Sequence, residues 1–168
     1  MSNLTDTKLP GFKLRFAEEQ DVSLIFRFIK GLAEYENMLD KVVATEDMLK
    51  ESLFKRKVAE VIIGEYEGEP AGFVLFFHNY STFLGQPGIY IEDLYVSPEL
   101  RGKGIGKAML SFIAKLAVER DCGRVEWACL DWNEPSIQFY KQMGAAPMDE
   151  WTVYRVCDSA LAELAARY

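Results

Sequence analysis

A glycine- and base-rich turn, Arg101-Gly102-Lys103-Gly104-Ile105-Gly106, joins the end of one regular run to the start of another. Before it, Ile89 to Val96 reads as a strand. After it, Ile105, Met109, Phe112, Ile113 and Leu116 recur at helical spacing. A strand-to-helix junction presents backbone N–H groups at the positive end of a helix dipole, and Arg101 and Lys103 add charge beside them. The stretch points to a phosphorylated ligand. It is a poor P-loop, because only three residues separate Gly102 from Gly106 and Ala108 stands where the hydroxyl that holds magnesium would be. It also falls one residue short of the dinucleotide fingerprint. The plainer alternative is an ordinary Gly-rich loop feeding a helix.

Length and charge narrow the partners. The 168 residues suit a single domain spanning 1–168, and with about half of them apolar the chain can bury a core without staples. A formal net charge of −7 argues against a nucleic-acid surface and is compatible with a cationic substrate. Three cysteines, Cys122, Cys129 and Cys157, form no zinc or disulfide pattern, and with one histidine, His78, no metal site is expected. No run is long and apolar enough for a signal or membrane segment, so a cytoplasmic protein is the expectation.

In chain order, residues 1–10 read as a frayed end and Phe12 to Phe16 as a strand. An amphipathic helix follows to about Tyr35, with Glu18, Glu19 and Asp21 in its first turn. Thr45 reads as the N-cap of a short helix to about Phe54. Val58 to Tyr66 and Ala71 to Phe77 read as an antiparallel hairpin, and 79–88 as a loop. The central strand is Ile89 to Val96 and the helix after the glycine turn reaches about Glu119. Arg124 to Leu130 reads as a strand, parallel to the central one. Pro135 starts a short helix that Gly144 ends, Trp151 to Val156 reads as a last strand, and Asp158 caps a final helix. This is an α/β (α+β) domain with a mixed, mostly antiparallel sheet.

Two acids in the central strand are unexpected. A carboxylate in a strand interior is costly unless it is bonded or has a task, which makes Glu92 and Asp93 site candidates. Simple alternation puts Tyr90, Glu92, Leu94 and Val96 on one face and Ile91, Asp93 and Tyr95 on the other. Tyr35 and Glu36, where the first helix ends, could line a pocket. The alternatives are a packed tyrosine, solvated carboxylates, and for Tyr140 a core position on a short amphipathic helix.

The turn Arg101 to Gly106, its lead-in Leu94 to Leu100, the stretches Ala33 to Glu36 and Tyr90 to Val96, and Trp132-Asn133-Glu134-Pro135-Ser136-Ile137-Gln138-Phe139-Tyr140 together resemble the Gcn5-related N-acetyltransferases (GNAT). The resemblance spans about Phe12 to Val156 and is nearest to the diamine acetyltransferases, the spermidine/spermine and thialysine group. It implies the GNAT fold, with helices on both faces of the sheet and a central parallel pair splayed near a bulge. It implies acetyl-CoA as donor, held by Leu94, Tyr95 and Val96, by the loop Arg101, Gly102, Lys103, Gly104, Ile105 and Gly106, and by Asn133, Ser136 and Tyr140. It also implies a homodimer.

The reaction so implied is direct acetyl transfer to a primary amine of a small polyamine, diamine or lysine-like substrate. Such an amine has a solution pKa of about 10.4, so a base must take its proton. Glu92, acting through water, is the candidate base and Tyr140 the candidate acid for the leaving thiolate. Tyr35, Glu36, Glu92, Asp93, Trp132 and Trp151 are the candidate substrate-binding residues, as counter-charges and cation–π walls. A protein or peptide amine acetyltransferase, or a CoA-binding domain without turnover, are the alternatives.

Overall fold

The structure is a computed structural model that describes residues 4–168. It divides into two compact units, one ending at Ala128 and one from Cys129 to Tyr168. The first unit is built on a six-stranded sheet: β1 (Thr5–Asp6), β2 (Phe12–Phe16), β3 (Glu60–Tyr66), β4 (Glu69–Ser81), β5 (Gln86–Val96) and β6 (Val125–Trp127). Spatial order follows chain order. All neighbours are antiparallel except β5 and β6, which are parallel. The parallel pair needs a crossover, which α3 (Ile105–Glu119) supplies. The mixed, mostly antiparallel sheet expected from the sequence is what forms.

Helices cover both faces of this sheet. On one face, α1 (Val22–Tyr35) packs Ile25 and Phe28 against Val61 and Ile63 of β3, Phe73 of β4 and Tyr95 of β5, with Leu53 joining them. The Phe28 and Phe73 rings stack at 5.6 Å between centroids. On the other face lies α3, whose Met109 sulfur would stand 3.5 Å from a β-carbon at Gly64. Strand β3, sandwiched between the two, buries Val61, Ile62 and Ile63 in succession instead of alternating.

Local chemistry sets the ends of α1. Asp21 does not act as a first-turn surface acid. It is buried, pairs bidentately with Arg15 at 2.7 and 2.9 Å, and accepts the Glu18 N–H at 2.7 Å. At the other end Asn37 takes φ 58°, Met38 N–H donates to Ala33 O and Asn37 N–H donates to Glu34 O. This pair of reverse bonds closes the helix and leaves Glu36 at its C-cap. Thr45 caps α2 (Glu46–Leu49) as expected, accepting the Met48 N–H at 3.2 Å, and a wider π-helical turn, Lys50–Lys55, continues it.

Strand β5 is irregular at one residue. Leu75 of β4 faces Asp93 and Phe76 faces Ile91, so Glu92 has no counterpart in β4. This β-bulge reverses the alternation. Leu75 packs on the α1-side cluster, so Asp93 and Tyr95 lie on that face while Ile91 lies opposite Phe76 on the other. The sequence expectation that Ile91 shares a face with Asp93 and Tyr95 is corrected here. An extra residue in a ladder leaves no trace in a hydrophobic pattern.

Three other expectations change. Residues Asn79 to Ser81 and Gln86 to Gly88, read as loop, extend the β4–β5 hairpin, and only residues 82–85 turn, with Gly85 at φ 66°. The strand expected over Arg124–Leu130 stops at Trp127, because its ladder with β5 ends at Ile91 opposite Trp127, just before the bulge. Of the expected frayed end, residues 1–3 lie outside the described residues, and Thr5–Asp6 pair with Leu14 and Lys13.

The second unit holds α4 (Glu134–Gln142) and α5 (Asp158–Ala165). The strand expected at Trp151–Val156 does not form. Its β-branched and aromatic residues suit a strand, but a strand needs a neighbour for its backbone groups, and this unit contains none among the described residues. No helix of the described residues is long and apolar enough to cross a membrane.

Candidate active site

The first unit gathers three carboxylates where α1 ends and β5 bulges. Glu36 caps α1, Glu92 is the bulged residue and is exposed, and Asp93 lies beside it, partly buried on the α1 face. Loss of water pushes the Asp93 carboxyl up to about 6, and the negative charges of Glu92 and Glu36 push the same way. Burial also raises Glu36. The C-terminal end of α1 adds the negative pole of its dipole, and its last turn carries no basic residue. Carboxyls in this condition favour a cation that comes to sit among them.

Next to the acids, the far end of β5 changes its pairing. Leu94, Tyr95 and Val96 stay bonded to β4 opposite Val74, Phe73 and Gly72, but the parallel ladder with β6 has already stopped. Tyr95 is fixed from two sides. A β-carbon at Gly31 of α1 would lie 2.4 Å from its hydroxyl oxygen, and one at Gly72 would lie 2.2 Å from its carbonyl oxygen. Only glycine allows either approach.

The glycine turn follows. Gly102 and Gly104 have φ of 77° and 86°, a left-handed backbone that favours glycine, and Gly104 is the N-cap of α3. Beyond Gly102 nothing lies within 4 Å of where a β-carbon would be, so the turn presents its backbone outward. Gly106 is inside the first turn of α3 and Ile105 is buried beneath it. The first N–H groups of α3 have no partner within the helix, as at any helix start. An open, left-handed turn feeding a helix start fits the phosphates of a CoA donor.

The two basic residues of the turn point back at aromatic rings. Lys103 Nζ lies 5.1 Å from the Tyr66 centroid. The Arg101 guanidinium lies 4.6 Å from the Tyr35 centroid and 5.7 Å from that of Tyr95, and its Nε donates to Val96 O at 3.0 Å. The sequence carried no sign of these inward contacts.

The remaining candidates belong to the second unit. Asn133, Ser136 and Tyr140 share α4 or its cap. Asn133 is buried and its side chain accepts the Ser136 N–H, so it also has a capping task that sequence reading overlooked. The Tyr140 ring leans on that of Phe139 at 5.3 Å. Trp132 precedes the cap and is half exposed, whereas Trp151 stands exposed outside any helix or strand. The structure thus brings Glu36, Glu92 and Asp93 together, with Tyr35 and Tyr95 tied by Arg101 beside them. Asn133, Ser136 and Tyr140 belong to the second unit, on α4 or its cap. Among the described residues no cluster of His, Cys, Asp or Glu is arranged to hold a metal.

Comparison with known proteins adds to this geometry. The model of the acetyltransferase (GNAT) family matches residues 29–145. The thialysine N-epsilon-acetyltransferase of Bos taurus is 36% identical, over 92% of this chain and 97% of its own. The L-ornithine N5-acetyltransferase NATA1 of Arabidopsis thaliana is 44% identical, over 69% of this chain and 48% of its own. Among solved structures, an integron cassette protein from the mobile metagenome of V. cholerae superposes with a TM-score of 0.77 at 25% identity, covering 92% of this chain and 98% of that one.

Proposed function

The chain belongs to the GNAT acetyltransferase family and is an acetyl-CoA-dependent N-acetyltransferase, and from that premise we propose that its acceptor is a small amine carrying a second positive charge, a lysine-like amino acid or a short diamine. The observation that carries this reading is the acid group where α1 ends and β5 bulges, in which burial raises Glu36 and burial, with the like charges of Glu92 and Glu36, raises Asp93. Two positive charges on one acceptor answer more than one carboxylate. The names of the thialysine and ornithine relatives agree with an amino acid whose side chain ends in an amine.

In the proposed mechanism, Glu36 and Asp93 hold the acceptor's ammonium groups beside the bulge. Glu92, exposed on that bulge, takes a proton from the reacting ammonium through water and frees its lone pair. Backbone N–H near Leu94 and Tyr95 polarises the acetyl carbonyl, since this part of β5 extends beyond the parallel ladder. Tyr140 supplies the proton for the thiolate that leaves. The glycine turn and the start of α3 hold the donor's phosphates, with Asn133 and Ser136 as further donor contacts. Tyr35, Trp132 and Trp151 give the acceptor aromatic walls. The same reading treats 1–168 as one catalytic domain, acting as a cytoplasmic homodimer without a metal.

The test is an assay of thiol release from acetyl-CoA with thialysine, lysine, ornithine, putrescine, spermidine and an N-terminal peptide. The expected result is turnover of the dicationic small amines, with kcat reduced by about 100-fold in Tyr140→Phe and in Glu92→Gln. A peptide amine turned over faster than every small amine would overturn the acceptor class. Full activity in Tyr140→Phe would remove the proposed acid.

A further inference from the structure

The α1 face of the sheet continues past the acid group toward the turn between β4 and β5. Leu75 packs on the α1-side cluster, and Phe77 and Asn79 follow it at two-residue steps on the same face of β4. Their partners in β5 are Asp93 for Leu75, Tyr90 for Phe77 and Gly88 for Asn79. The Phe77 and Tyr90 rings lie 5.3 Å apart between centroids and give this strip an apolar middle. Its far end is charged. A β-carbon at Gly88 would lie 3.0 Å from Cγ of Arg124, so the glycine lets the Arg124 side chain cross the face of β5. Glu126 stands opposite Tyr90 in the parallel ladder, on the same face.

Two other arginines of this unit are fully engaged in the structure. Arg15 pairs bidentately with Asp21 and also with Glu65, and Arg120 Nη1 and Nη2 donate to Glu60 at 2.5 and 2.9 Å. Arg124 is held far less completely. Its Nε lies 2.7 Å from Glu126 Oε1 without the alignment of a hydrogen bond. Its Nη2 donates only to Tyr80 O, at 3.4 Å, and its Nη1 has no partner among the described residues. Glu126 accepts only a long bond, 3.4 Å, from Asn79 Nδ2. Both charged side chains remain partly exposed. A guanidinium with donors to spare suits a carboxylate, whose two oxygens match its fork.

We propose that Arg124 and Glu126 form a subsite for the α-amino acid head of the acceptor, so that the acceptor class is an amino acid ending in an amine and diamines are poorer substrates. The proposal rests on the small-amine reading above and narrows it. The strip has an acid end, an apolar middle and an end with one charge of each sign. A diamine matches the first two, and an amino acid of this kind matches all three. Its side-chain ammonium goes to Glu36 and Asp93, its methylenes lie on Phe77 and Tyr90, its α-carboxylate takes the unused donors of Arg124, and its α-ammonium comes beside Glu126. The length agrees. The positions of Asp93 and Gly88 are as far apart as those of Leu75 and Asn79 in β4, about 13 Å of strand. Hydrogen bonds of about 3 Å at the two ends leave about 7 Å, which an extended lysine-like chain spans.

The test compares acceptors that differ only in the carboxyl group, lysine with cadaverine and ornithine with putrescine, in the full chain and in Arg124→Gln. The wild type is expected to favour each amino acid over its diamine by about 10-fold or more in kcat/KM. Arg124→Gln should raise the KM for the amino acids about 10- to 100-fold and leave that for the diamines within about two-fold. A general fold defect would move both members of each pair, so the ratio isolates the subsite. Arg124→Lys keeps the charge without the fork and should recover part of the preference. If Arg124→Gln fails to fold, lysinamide carries the test with the wild type: it keeps the size of lysine without the negative charge, and its KM should be about 10-fold higher. A wild type that uses lysine, lysinamide and cadaverine equally well would overturn the subsite and leave the small-amine reading standing. An unchanged preference in Arg124→Gln would overturn it as well. A wild type that turns over none of these amines would remove the small-amine reading itself.

Discussion

Asp93 concentrates the conflict between folding and chemistry at a single carboxyl. Its pKa is raised from 3.8 to about 6, chiefly by burial. The unfolded chain therefore releases this proton at lower pH than the folded protein. Stability falls as pH rises from about 4 to about 6, and the whole cost stands at pH 7. Asp93→Asn is expected to stabilise the protein by about 1–3 kcal/mol at pH 7, with the gain gone at about pH 4. Urea denaturation at several pH values checks this, and a gain independent of pH would disprove the cause. Activity should follow the opposite course: with wild type, kcat/KM for the amine is expected to fall as pH drops through about 6 and Asp93 becomes neutral. Adjacent acids in a strand were legible as an anomaly in the sequence. Their placement was not, because the bulge that turns Asp93 toward Glu36 changes no residue's hydrophobic character.

The helix α1 shows how an element can be legible while its fit is not. Its apolar spacing identifies it in the sequence, and Gly31 in that pattern looks like a mere weakness. In the structure a β-carbon there would meet the Tyr95 hydroxyl at 2.4 Å and its ring ζ-carbon at 2.8 Å. On an exposed helix Gly→Ala would stabilise by about 1 kcal/mol. Here Gly31→Ala is expected to destabilise by about 1–3 kcal/mol through overpacking, read as a lowered midpoint in denaturant. Adding Tyr95→Phe should restore part of the loss, since it removes the nearer atom. No rescue would mean that the conflict lies elsewhere. The strand at Trp151–Val156 failed in the reverse way: residues of suitable propensity were visible, but a partner strand is a property of the tertiary structure.

At the scale of the whole molecule, charge and topology speak to different questions. The net charge of −7 says little about the fold, but it predicts how a polycationic acceptor approaches. The amine KM should rise about 3- to 10-fold for a dication between roughly 20 and 300 mM salt, and less for a monocation. Steady-state assays at constant pH test this, and equal salt dependence for both would remove the electrostatic attraction. The mixed sheet with one parallel pair was readable from the order of elements, because a hairpin makes neighbours antiparallel and a helical crossover makes them parallel. The division after Ala128 was not, since no shift of composition marks it.

Glu92 is the one residue of β5 for which β4 has no counterpart. Removing it would let the ladder close, with Ile91 still opposite Phe76 and Asp93 still opposite Leu75. The sheet and the proposed proton acceptor are therefore heritable apart from each other. A lineage can discard the exposed acid by losing a single codon while its core stays in register, and a scaffold with an unbroken ladder can gain such an acid by a single-codon insertion. On this view chemistry of this kind turns over in evolution faster than the architecture that carries it.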